Sequence, residues 1–565
     1  MAKTASPPGP APSGTAQKPD GRRLEDFPHR SSAEDELLRC CRLGIVAEIG
    51  PSRPDGATSE NRIRAGFLRF LALGGDDDAP VHEHGVQLEG AWLEGLLDLE
   101  GAHFPRTISM RHCRIEQIIA IRAIVRSLDL RGSLVAEGIY APWLKCEGEI
   151  NLGEGFLATG MVLFGGAFIT GNFQAIAGEF DFPDGDAALI LDGVEVGGDI
   201  LLRNGFRSNG EVRIIGATVG GDLGCTGARI ENAGGDALSC HGLAVTEVFL
   251  NDGFRATGAV VLTGATIRGS VECQNGSFTN PSGIAFSADR AEVAGSLFFR
   301  HISALEGEVH LPNMKVGSLC DDEASWCAEG DLILDGFTYR NLGGGAPTDA
   351  ERRIAWLERQ RGSHLASEFK PQPWEQLISV LRGMGHPEDA RKVAIAKHRR
   401  MRAAGRYVGG SWLWDWIYGT LVGYGYRPWT LLRAVGLVWA ACALLYWPAA
   451  NPRLFGFETH LLVPASPQTD TACLLSRVAS RSAEPCPPRK PRYEDLFLPA
   501  FSAEVLIPVI SLGQKGEWRT RVSDDSGHAL YWGWALRAVY WFEIFFGWLA
   551  GLLLVAAVGN LIKKE

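Results

Sequence analysis

An internal repeat constrains this chain more than any other feature. The phrase Gly193-Val-Glu-Val-Gly-Gly-Asp-Ile returns as Gly216-Ala-Thr-Val-Gly-Gly-Asp-Leu and as Gly264-Ala-Thr-Ile-Arg-Gly-Ser-Val. A second phrase lies between the copies, Gly205-Phe-Arg-Ser-Asn-Gly-Glu-Val, and recurs as Gly253-Phe-Arg-Ala-Thr-Gly-Ala-Val. Self-similarity at roughly 20–50 residues means stacked structural units. Aligned on the second glycine, marks fall near Gly95, Gln117, Gly148, Gly171, Gly198, Gly221, Glu247, Gly269, Gly295 and Gly317, mostly 22 to 27 residues apart. Within a phrase, inward residues such as Ala217, Val219, Gly221 and Leu223 alternate with polar ones, the period of a strand. Equivalent residues would then stack about 4.8 Å apart on successive coils. The expected fold class is mainly β: a β-solenoid of about ten coils over residues 85–342.

The flanks read differently. Residues 1–30 are rich in Pro, Ser, Gly and Ala and contain no apolar run, so they are expected to be a disordered tail and not a secretory signal. Ser32–Leu43, with Ser32 as cap, and about Ser59–Leu73 read as two helices. They make a helical cap over 31–84, covering an otherwise open strand edge. Residues 180–187 interrupt the repeat and should protrude as a loop. After Gly343-Gly-Gly-Ala-Pro come helical patterns over 343–408. Thr348-Asp-Ala-Glu351 opens a helix through Arg361, and a hairpin of 374–382 and 387–404 follows.

Residues 409–565 have the composition of a membrane domain. The aromatic-rich stretch 412–426 suits a membrane–water boundary. Apolar runs over about 431–450 and 535–562 are long enough to span a bilayer. The intervening loop, 451–534, carries Cys473, Cys486 and an apolar stretch, 498–512, too short to span and read as interfacial, re-entrant or the core of a small extramembrane unit. Lys392, Lys397, Arg399, Arg400, Arg402, Arg406 and Arg427 precede the first span, and Lys563 and Lys564 follow the second. The positive-inside rule places the solenoid and both termini in the cytoplasm of a multi-pass inner-membrane protein. Arg489, Lys490, Arg492, Lys515, Arg519 and Arg521 in the loop argue the other way, but loops this long are discounted. With that orientation, Cys473 and Cys486 face an oxidising space and become a disulfide candidate.

Candidate chemistry is sparse. The net charge of -11 argues against a nucleic-acid partner. Twelve cysteines in 565 residues is no disulfide scaffold, and Cys146, Cys225, Cys240 and Cys273 fall inside coils as small hydrophobes. The glycines of Gly220-Gly-Asp-Leu-Gly-Cys-Thr-Gly belong to the repeat and not to a phosphate loop. His82-Glu-His84 has ligand spacing but no evident third ligand, so surface residues are expected. Cys320-Asp-Asp-Glu-Ala-Ser-Trp-Cys327 reads as a solvated acidic loop in preference to a metal site or disulfide. Asp199 and Asp222 occupy the same place in the phrase and would stack as like charges unless something basic or a cation covers them. Glu543 lies inside the second span and is the candidate functional intramembrane residue. A place at the membrane interface is expected first; pairing with Arg537 or a loop arginine, or facing a second subunit, are the alternatives. No residue earns a catalytic assignment, and no metal or cofactor is expected.

The layout resembles bacterial membrane-anchored β-solenoid proteins, similar in style to membrane-bound pentapeptide-repeat proteins. The coil phrases, Gly423-Tyr-Gly-Tyr-Arg-Pro and Val505-Leu-Ile-Pro-Val-Ile-Ser-Leu-Gly carry that resemblance over about 85–565. A pentapeptide solenoid has four faces per coil and repeats every five residues, whereas this chain alternates in twos. The resemblance implies architecture more than activity. The function expected is a membrane-anchored scaffold presenting a rigid surface to a protein partner or to another copy of itself, held in the lipid bilayer. The alternatives are a membrane sensor or transport-related protein, or a solenoid enzyme acting on a polymer.

Overall fold

The repeated phrase becomes a stack of parallel strands. A computed structural model describes residues 23–405, 419–421, 428–451, 460–465, 496–524 and 526–564. Two sheets, of 21 and 18 strands, run along the stack and make a β-solenoid of about eleven turns. Each strand bonds in parallel register to its equivalents one coil before and one coil after, as Phe173↔Ile200↔Leu223↔Val248 illustrates. The chain divides into two compact units, residues 1–400 and 401–565.

The alternation in twos holds only within each short strand. Buried residues come as pairs, Leu144/Cys146, Ile150/Leu152, Phe156/Ala158, Val162/Phe164 and Ala167/Ile169, and the pairs recur every five or six residues. Each coil is therefore four-sided, which corrects the contrast with four-faced solenoids drawn from sequence. Gly221 also departs from expectation: Ala217, Val219 and Leu223 are buried, but Gly221 lies at the surface-facing corner. A Cβ there would collide with the Asp199 carboxylate of the preceding coil. Other corners need left-handed backbone. Asn204, Gly227, Asp252 and Asn275 follow one another at one corner, with φ between 44° and 68°. Asn and Asp tolerate this region better than other non-glycine residues, which is why the repeat can spare glycine there.

Phenylalanines fill the interior. Phe156, Phe180 and Phe206 are fully buried, with ring centroids 5.6 and 5.3 Å apart. Phe180 is thus a core strand residue, and the expected protrusion begins only after Glu179–Asp181. The coil cysteines Cys146, Cys225, Cys240 and Cys273 are buried; burial pushes the Cys225 thiol up to about 12. Such thiols are unreactive fillers.

Both ends of the solenoid are covered. The first helix, Ser32–Leu43, is capped by Ser31 and not Ser32: Ser31 Oγ accepts from Glu34 N, and Glu34 returns a bond to Ser31 N. The second helix is shorter than the sequence suggests, Ala65–Ala72, because Arg62–Arg64 is a strand that pairs with Trp92–Glu94 and starts the second sheet. At the far end, Asp349 and not Thr348 caps the helix Ala350–Leu357, which stops well before Arg361. Helices Gln372–Gly383 and Pro387–Ala403 follow.

The segment 320–327 is not a solvated acidic loop. Asp321 is buried and accepts both guanidinium nitrogens of the fully buried Arg353, at 2.6 and 2.8 Å. It also accepts from Trp326 Nε1 at 2.8 Å, and Arg353 Nε donates to Pro347 O. Asp322 caps the short turn Glu323–Ser325, and Cys320 and Cys327 are buried free thiols. A two-bonded Arg–carboxylate pair inside apolar walls clamps the terminal helix to the last coils. Replacing Arg353 with Ala should cost about 3–5 kcal/mol by stranding a buried carboxylate. Thermal denaturation followed by circular dichroism should show the loss; an unchanged melting temperature would contradict the clamp.

Candidate functional site

Within the solenoid, the stacked acids have a structural occupation. Asp199 Oδ1 accepts from Asp222 N at 2.9 Å, and Asp222 Oδ1 accepts from Glu247 N at 3.1 Å. Asn172 Oδ1 does the same for Asp199 N at 2.8 Å. The next coil's amide is therefore a partner that each of these carboxylates has within the stack. Burial, and then the neighbouring Asp199 charge, push the Asp222 carboxyl above its ordinary value. Elsewhere, Ser239 Oγ lies within bonding distance of both Glu211 (2.5 Å) and Asp236 (3.2 Å), an arrangement with no signature in the repeat phrase. His82 and His84 contact each other edge-on, and their ring nitrogens face His84 N and Gly44 O. Among the described residues, no group of three or more His, Cys, Asp or Glu could hold a metal ion.

The second unit concentrates its polar chemistry at Glu543. Among the described residues, two helices are long and apolar enough to cross a membrane, Trp429–Ala450 and Tyr531–Ala556. Between them packs the short helix Leu498–Leu506, which is all of the 498–512 stretch that is helical. The second long helix buries a narrow stripe: Gly533, Leu536, Glu543, Gly547, Ala550 and Leu553. That spacing of three, four and seven is one helix face. Small residues on it let neighbouring backbones approach. A Cβ on Gly547 would meet the carbonyl of Leu506, the last residue of the short helix, whereas Gly551 faces open space.

Glu543 lies on this stripe with no solvent exposure. Tyr446 of the first long helix donates its hydroxyl to Glu543 Oε2 at 3.0 Å. Ser502 of the short helix donates to Glu543 Oε1. Ser502 Oγ is also 3.3 Å from Trp439 O, and Trp439 Nε1 donates to Pro499 O at 2.9 Å. Phe501, Tyr446 and Cys442 pack around the cluster. Among the described residues, Glu543 is thus bonded to hydroxyls at a buried three-helix junction, and no arginine is bonded to it. Hydroxyls satisfy a carboxyl without burying a second charge. Tyr446 and Ser502 were missed from sequence. The available signal was that each is polar in an apolar segment.

A second carboxylate closes the segment after the short helix. Glu504 accepts from Gln514 N and Lys515 N at 2.6 and 2.9 Å. Burial raises its carboxyl, but those amides outweigh it and hold Glu504 below the ordinary glutamate value. Residues 507–512 consequently curl back with Val509, Ile510 and Leu512 exposed. Cys473, Cys486 and most of 412–426 lie outside the described residues.

No family model, curated protein or solved structure matches this chain. What the geometry defines is a class: a β-solenoid unit in one chain with a unit built on two apolar helices.

Removing the acid from the junction should separate two effects. Glu543→Gln keeps an acceptor and a donor at the site, so helix packing should be retained. Glu543→Leu leaves the buried Tyr446 hydroxyl without its acceptor and Ser502 with only Trp439 O, and should cost about 1–3 kcal/mol. Thermal stability of the full chain in detergent reads the difference; equal melting of the two variants would remove the hydrogen-bonding role. In the same assay Gly547→Ala should destabilise and Gly551→Ala should not, because only the first meets backbone.

Proposed function

We propose that the protein is a membrane-anchored solenoid scaffold that presents a rigid binding surface to protein partners. The observation that supports the anchor is the polarity of the second unit. In the most apolar windows of the two long helices, only 17% and 22% is buried within the protein. Trp532, Trp541, Phe542, Phe545, Trp548, Leu552 and Val555 point outward, while the one acid points in. A helix apolar all round is either a buried core or a membrane span, and these helices are mostly exposed. The solenoid supplies the complementary half of the proposal, since extended repeat surfaces suit protein binding.

The orientation proposed from the positive-inside rule puts the solenoid and both termini in the cytoplasm and the 451–534 loop outside. Reporter fusions after Leu342, near Ser480 and after Glu565 test it. The expected order is cytoplasmic, external, cytoplasmic. The reverse order would overturn the intracellular scaffold and favour an envelope ligand. In the expected order Cys473 and Cys486 should oxidise together, and a loop fragment should migrate faster on gels without reductant. Equal mobility with and without reductant would count against the disulfide.

A second reading, a membrane sensor or transport-related protein, is favoured by one observation: an acid held by two hydroxyls inside the helix packing. Ion flux in reconstituted vesicles that disappears in Glu543→Gln would move the function there. Absence of flux in the unaltered protein leaves the scaffold.

A further inference from the structure

The second repeated phrase places an arginine at the same outward position on three successive coils. Arg207 pairs in register with Arg229, and Arg229 with Arg255. All three side chains are exposed. Parallel register sets their Cα atoms about 4.8 Å apart, and like charges directly opposite on neighbouring strands oppose the fold. The compensation within the chain is thin. Glu231 reaches Arg229 at 3.9 Å, with both side chains about half exposed, and Glu179 precedes Arg207 in the column. Among the described residues, no ion pair joins Arg207 or Arg255 to a carboxylate.

The same three coils carry the acid column. Asp199, Asp222 and Glu247 each stand seven or eight residues ahead of Arg207, Arg229 and Arg255. In Asp199 and Asp222, one carboxylate oxygen is taken by the next coil's amide. An ionised carboxylate has further lone pairs, so the other oxygen stays available at the partly exposed corner.

We propose that the arginine column docks on the acid column of a second copy of this chain. The proposal rests on reading the solenoid as an interaction surface, and it names the partner. Spacing selects the occupant. An extended peptide repeats on one face about every 6.6–7.2 Å, and duplex DNA advances about 3.4 Å per phosphate along a strand. Another stack of parallel strands repeats at about 4.8 Å, the rise of the arginines, and pairs all three rungs at once. The acid column of a second copy has that rise, the opposite sign and the same number of rungs. Because the two columns are different surfaces of one chain, the contact is heterologous and can extend from copy to copy.

The test is sedimentation velocity of the full chain in detergent. Association of the unaltered protein should weaken by roughly tenfold as salt rises from about 0.05 M to about 0.5 M. One variant set neutralises the arginines: Arg207→Gln, Arg229→Gln and Arg255→Gln. The other neutralises the acids: Asp199→Asn and Asp222→Asn, which keep the amide-accepting oxygen, and Glu247→Gln. Asn172 already fills that role in the adjacent coil, so the solenoid should stay folded. Each set alone should lose the salt-sensitive association. Mixing the two should restore pairs but not longer assemblies, since each retains one column. Association of the unaltered chain that is insensitive to salt overturns the proposal without needing any variant. So does salt-sensitive association that survives either set. A chain that captures other proteins yet stays single at every salt concentration also overturns self-docking, while leaving the scaffold reading in place.

Discussion

Everything in the first unit depends on one constraint, the parallel register that makes each coil bond to the coil before and after it. No coil can bury its apolar pairs alone. Once the register is set, any residue is followed about 4.8 Å away by its own equivalent, and every choice is multiplied along the stack. Phenylalanines accumulate into an interior column, and left-handed corners accumulate into a column of Asn, Asp and Gly. Polar residues face the harder problem, because stacking puts like beside like. Asp199 and Asp222 each accept from the next coil's backbone amide. Gly221 remains glycine because the preceding carboxylate occupies the space a side chain would need.

The repeat phrases made the solenoid legible because register is written in spacing. Gly-Gly-Asp marks a corner whose second glycine admits the previous coil's Asn or Asp side chain and whose aspartate serves the next. The four-sided cross-section was harder to read. Within any strand the alternation is two, and the five- or six-residue return of the buried pairs emerges only when all sides of a coil are compared, as over Leu144–Ile169. Helix ends were displaced by a residue or more for local reasons. Ser31 and Asp349 have the extended backbone and the bond to the third helical amide that capping requires; their neighbours Ser32 and Thr348 offered similar chemistry one step away.

The site at Glu543 was legible only as a position. An acid in an apolar run must be satisfied somehow, and the sequence suggested the membrane interface first, with an arginine or a second subunit as alternatives. The solution comes from Tyr446 and Ser502, 97 and 41 residues away in the chain, and no local pattern could pair them. The same limitation hid Asp321 and Arg353, which sit in separate elements and meet only because the terminal helix folds back over the last coils.

These carboxylates show how surroundings set the role of one functional group. Asp222 is partly exposed and spends one oxygen on a backbone amide, so its charge is retained at the surface of a coil. Asp321 is buried against a guanidinium, so two charges are desolvated together and specify where a helix docks. Among the described residues Glu543 is bonded to no cation and is held by neutral hydroxyls from two other helices. Of the three, only Asp321 is bonded to a charged partner, and only Glu543 sits on a helix long and apolar enough to cross a membrane. Its arrangement fits an environment without water: each polar atom is turned inward, and the small residues of the stripe bring the donors close enough to reach it. The solenoid buries its coil cysteines and exposes most of its charges, whereas the long helices of the second unit expose apolar side chains and bury Glu543. The two long helices of this unit are long and apolar enough to cross a membrane, and the proposed anchor draws on that property.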